Sequence, residues 1–221
     1  MLKVRNIWIA GLLAISAPVA AQLPPGLQGL SADYMPLIFI NPRVAADMHL
    51  SPAVAQKEQT LFFQQGMALL PMFMNQSGGK AGNKSEMMGK VLAAFKKMQE
   101  SSLAPLSPAQ RVRYRQLTLQ FEGPAALVEP KVAHSLGLSE GQKSQLASAF
   151  YASSHEMQKK FQTMKVSTGG NAMSNLTSIQ DVQAKSRIAN EKRAKAILTS
   201  SQWSKWTALQ GKKLPGIEKL F

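Results

Sequence analysis

The sequence predicts an all-α protein built as two tandem helical-hairpin units, and three observations carry that prediction. One block occurs twice: Ile40-Asn41-Pro42-Arg43-Val44-Ala45-x-x-Met48-x-Leu50-Ser51 returns without a gap as Val128-Glu129-Pro130-Lys131-Val132-Ala133-x-x-Leu136-x-Leu138-Ser139. A shorter signature, Leu-[Ser/Thr]-x-x-Gln, stands at 106–110, 138–142 and 198–202, with a degenerate copy at Leu50-Ser51-Pro52 that has Val54 in place of Gln. No strand-like alternation persists beyond a few residues, so nothing competes with the helical spacing.

The first 21 residues have the layout of a secretory signal. Lys3 and Arg5 precede an apolar run over 7–15, and Val19-Ala20-Ala21 supplies the small residues for cleavage after Ala21. That run is too short for a bilayer core of about 30 Å. Residues 22–39, with Pro24-Pro25-Gly26, read as a flexible leader. The first unit, 40–123, holds a helix over 51–75 with Pro52 in its first turn and Pro71 expected to kink its end. A loop over 75–85 carries Gly78-Gly79 and Gly82, and helices follow over 86–101 and 107–121 before Gly123-Pro124.

The second unit, 124–213, repeats the plan. A short helix starts at Pro130, and a long one starts at Ser139 with Leu146, Phe150, Met157, Phe161 and Met164 on one stripe. It ends before Thr168-Gly169-Gly170, and helices over 174–198 and 199–210 precede the tail at 214–221. At an offset of 88, Phe62 matches Phe150, Phe63 matches Tyr151 and Phe73 matches Phe161. After the loops the offset becomes 92, matching Tyr114 with Trp206 and Leu117 with Leu209. The order of matches is that of a tandem duplication.

The short signature has the spacing of a capping box. The hydroxyl of Ser107, Ser139 or Thr199 accepts from the N3 amide, and Gln110, Gln142 or Gln202 reaches back to the N-cap amide. Leu106, Leu138 and Leu198 stand where a hydrophobic staple begins. Each cap contributes about 1 kcal/mol, so these nine residues are structural.

The chain carries 26 Lys and Arg against 12 Asp and Glu, a net charge of +14, and no Cys. Cleavage would remove two basic residues and no acidic one, leaving +12. Without disulfides the exported chain must be held by helix packing. The charge favours anionic partners, and export makes nucleic acid the least expected of them, so none is expected.

The capped-helix pattern resembles the LTxxQ proteins, bacterial periplasmic proteins typified by the Spy and CpxP stress chaperones. The segment from Gly123 to Gln142, Gly-Pro-x-Ala-Leu-x-x-Pro-x-Val-Ala-x-x-Leu-x-Leu-Ser-x-x-Gln, carries the likeness most fully. The resemblance covers most of 40–211. It implies a thin helical protein, usually dimeric, whose basic surface holds unfolded clients without ATP. The duplication departs from that pattern, and suggests a monomeric pseudo-dimer beside the homodimer.

The candidate client-binding cations are Arg111, Arg113, Arg115, Lys159, Lys160, Lys192 and Arg193. Their competing role is an ordinary solvated face, with Glu191 pairing Arg187 and Lys195 at i, i+4. The apolar candidates are Phe62, Phe63, Met72, Met74, Phe150 and Tyr151. The segment over 61–74 is apolar nearly all round, which fits core burial, a dimer interface, or an adaptable client surface. The partners expected are unfolded or acidic protein clients, with an anionic envelope surface as the alternative.

No enzyme, cofactor or metal is expected. Met72-x-Met74 and Met87-Met88 have no His or Cys beside them, and His49, His134 and His155 are dispersed. The few carboxylates lie mostly beside Lys or Arg, and no Gly-rich phosphate loop follows a strand.

Overall fold

A computed structural model of the chain describes residues 41–74, 89, 93, 97, 100–163 and 172–217. The expected signal, leader and both Gly-Gly loops lie outside these residues, as does most of the helix over 86–101. All regular structure among the described residues is helical. In chain order it comprises α1 (Pro42–Asp47), α2 (Pro52–Met74), α3 (Pro108–Glu122), a 3-10 segment (Gly123–Val128), α4 (Pro130–Ser135), α5 (Glu140–Thr163), α6 (Ala172–Ile197) and α7 (Ser200–Leu209). Residues 100–103 are also helical.

Proline opens α1, α2, α3 and α4. At the first helical position its missing N–H is one that has no intrahelical acceptor, and its fixed φ suits the helix. Gly123-Pro124 was expected to break the helical pattern, and α3 does end at Glu122, with the chain continuing as the 3-10 segment. Gly123 makes the junction with a left-handed φ of 62°.

The described residues fall into two compact units, one from Leu119–Gln210 with 215–217, the other from 41–118 with Gly211–Leu214. In the Leu119–Gln210 unit, α5 packs along α6, and the 3-10 segment packs on both. Leu127, Leu136, Leu146, Phe150, Ala194 and Trp206 lie in its apolar core. Burying a Leu or Phe side chain contributes about 1.5–3 kcal/mol, so this interior is what holds the helices together. In the 41–118 unit the buried apolar residues are Val44, Met48, Leu106, Tyr114, Leu117 and Leu214, and Glu58 and Ser102 are buried among the polar ones.

Candidate functional site

Three Leu-[Ser/Thr]-x-x-Gln segments form both bonds of the capping box. Ser107 N–H donates to Gln110 Oε1 at 3.0 Å and Gln110 N–H to Ser107 Oγ at 3.3 Å. The Ser139–Gln142 and Thr199–Gln202 boxes repeat this. The degenerate copy keeps only the hydroxyl half, Val54 N–H to Ser51 Oγ, because Val54 has nothing to return. The three leucines are buried.

A box uses only the carbonyl of its glutamine and leaves two amide hydrogens to donate. In the Leu119–Gln210 unit the two glutamines spend them on each other. Gln142 Nε2 donates to Gln202 Oε1 at 2.8 Å, and Gln202 Nε2 donates to Gln142 Oε1 at 3.1 Å. Their second hydrogens go to the Ile197 and Gly137 carbonyls. This clasp ties the start of α5 to the start of α7 and saturates both side-chain amides. Gln110 has no glutamine opposite, since Val54 occupies that place, and it donates to the Met48 and His49 carbonyls instead.

The cations read from the sequence separate by environment. Arg113 is taken: its guanidinium is 2.5 Å from Asp47, donates to Gln116 and Lys212, and is largely buried. Arg111 donates to the Leu106 and Ala104 carbonyls, in the turn that follows the preceding helix. Arg115 is half-buried and engaged, and the half-buried Arg193 reaches Asn190. Lys159 and Lys192 are exposed, and Lys160 has a side chain outside those described. Arg187, which the sequence suggested was a surface charge, instead binds the last carbonyls of α3. Its Nη1 donates to Phe121 O at 2.5 Å and its Nη2 to Gln120 O. A Cβ on Gly123 would meet this guanidinium at 2.8 Å, so the residue is glycine for two reasons, its φ and the approach.

Of the apolar candidates, Phe150 is a core residue and offers nothing to a client, whereas Tyr151, its neighbour, is 55% exposed. The side chains of Phe62, Phe63, Met72 and Met74 lie outside those described, and Met67 on the same helix is exposed. His49, His134 and His155 are exposed. Among the described residues no group of three or more His, Asp or Glu could hold a metal. Nor is any described helix long and apolar enough to cross a membrane.

Among the described residues, one basic stripe runs along α6. Lys185, Ile188, Lys192 and Lys195 recur at spacings of 3, 4 and 3, and all are exposed, with Ile188 at 68%. Residues so spaced share one helix face. Lys195 lies over the Trp203 ring at 5.9 Å, which holds one end of the stripe against α7. Asp181 and Glu191 are the exposed acids of α6. No family model, curated protein or solved structure matches the chain.

Proposed function

We propose that the chain is an exported, ATP-independent helical binding protein that holds unfolded or acidic protein clients, with two copies of one helical hairpin as its scaffold. The observation that carries this reading is the α6 stripe, in which three exposed lysines surround an isoleucine left in solvent. Lysines attract an anionic chain over roughly a Debye length, about 10 Å at 0.1 M salt. The Ile188 side chain and the nearby stems of the lysines then give weak apolar contact without fixed sequence. The excess of positive charge over the whole chain, +14, acts in the same direction. The LTxxQ resemblance supports the same class.

The reading is tested by light scattering with a denatured acidic client. Suppression of aggregation is expected at stoichiometric amounts in low salt, without ATP, and weakening at high salt. Unchanged aggregation in low salt would end the chaperone reading. Binding confined to anionic vesicles would replace the protein client with an envelope surface.

A further inference from the structure

Two buried positions that are apolar in one unit are polar in the other. In the Leu119–Gln210 unit, Leu146 of α5 and Ala194 of α6 are fully buried in the apolar core. At the offsets of 88 and 92 that relate the copies, the same places in the other unit hold Glu58 and Ser102, 2% and 3% exposed. Neither carboxylate oxygen of Glu58 has a hydrogen-bond partner among the described residues. A carboxylate carried into an interior costs far more than the carboxylic acid, so this position tolerates the protonated form and strains against the ionised one.

We propose that Glu58 is a pH-operated latch on α2: protonated, it lets α2 close on the segment at 100–103, and ionised, it drives α2 to open. Burial raises the pKa of Glu58 above its ordinary 4.5, while Ser102 and the Lys57 charge draw it partly back. Ser102 does so without closing a hydrogen bond of ordinary geometry. No ion pair is formed by Glu58 among the described residues, and several neighbouring charges have other engagements. Asp47 on α1 and Arg113 on α3 bind each other, Arg111 is on backbone carbonyls, and Arg115 has interactions of its own. Arg43 on α1 is exposed, as are Lys97 and Glu100 on the segment that reaches 103.

The direction follows from proton linkage. The open state titrates near 4.5 and the closed state higher, so the closed state holds the extra proton between the two values. Closure is therefore firmest below pH 4.5 and is lost as pH rises through the closed-state value. Because α2 also carries the apolar sequence over 61–74, a change in its opening would act on the helix that bears the apolar candidates for client binding. This last step rests on the binding function proposed above, whereas the latch itself does not.

Amide hydrogen exchange on the full chain tests the latch without any client. With intrinsic rates corrected, the opening constant of α2 should rise by up to about tenfold per pH unit above 4.5 until the closed-state value is passed. Peptides of α5, built on Leu146, should show no such slope. E58Q and E58L should flatten the α2 response, and E58L should protect α2 best, because it restores the residue of the other copy. If E58L does not fold, E58Q still decides. A flat α2 response in the unaltered chain, a slope that survives E58Q, or an equal slope in α5 overturns the proposal. Loss of client binding with the α2 slope intact would count against the proposed function alone.

Discussion

His49 is the one described non-glycine residue with a positive φ, 52°, and its place in the repeat explains why. It follows α1 as Gly137 follows α4, and both end their helix with the same bonds. His49 N–H donates to Ala46 O and Leu50 N–H to Ala45 O, as Gly137 N–H donates to His134 O and Leu138 N–H to Ala133 O. Left-handed backbone suits glycine and costs a residue with a Cβ about 1–2 kcal/mol. His49→Gly should therefore raise stability by up to about 1 kcal/mol, after the entropy that glycine adds to the unfolded chain. Gly137→Ala should lower it by about 1 kcal/mol, and through backbone strain alone, since a Cβ there meets no atom within 4 Å. Denaturant midpoints of the two variants check this pair of opposite signs. Equal shifts in the same direction would show that the two turns are not equivalent.

At the scale of the element, the helix starts were legible in the sequence because capping is local. Ser107, Ser139 and Thr199 reveal themselves by a glutamine three residues on, and α3, α5 and α7 begin one residue after them. What the far side of each glutamine does was not legible, because pairing Gln142 with Gln202 requires the fold to bring positions 60 residues apart to one place. The signal available was arithmetic: a box leaves the amide hydrogens unused, and a half-buried amide seeks acceptors. Arg187 was misread for the same reason, since i, i+4 spacing to Glu191 describes its own helix and not the α3 carbonyls that it meets. Phe150 and Tyr151 show the limit of composition, as adjacent aromatics point one into the core and the other into water. The clasp yields a prediction. Gln142→Ala and Gln202→Ala should each cost about 1–2 kcal/mol, and the double variant should cost less than their sum by about 1 kcal/mol, because the pair shares its bonds. Additive losses in denaturant unfolding would mean that the two amides act on their own caps only.

For the whole molecule the governing quantity is charge that remains after the structural cations are set aside. Arg113 and Arg187 are committed to internal acceptors, so removing either should disturb folding more than binding. Lys185, Lys192 and Lys195 are exposed, so replacing them with glutamine should leave the helical content unchanged. If they steer an anionic partner, the triple variant should lower the association rate for an acidic, denatured client by about tenfold at low salt. The difference from the unaltered chain should shrink as ionic strength rises, because a Debye length of about 8 Å at 0.15 M already screens most of their reach. Ile188→Ser makes the complementary change, taking away apolar contact without charge. It should leave the association rate and its salt dependence alone and speed dissociation, since exposed apolar contact acts after encounter. Stopped-flow binding across a salt series separates the two variants. A triple variant with an unaltered rate at low salt would move the partner surface away from α6, to charged positions outside this stripe.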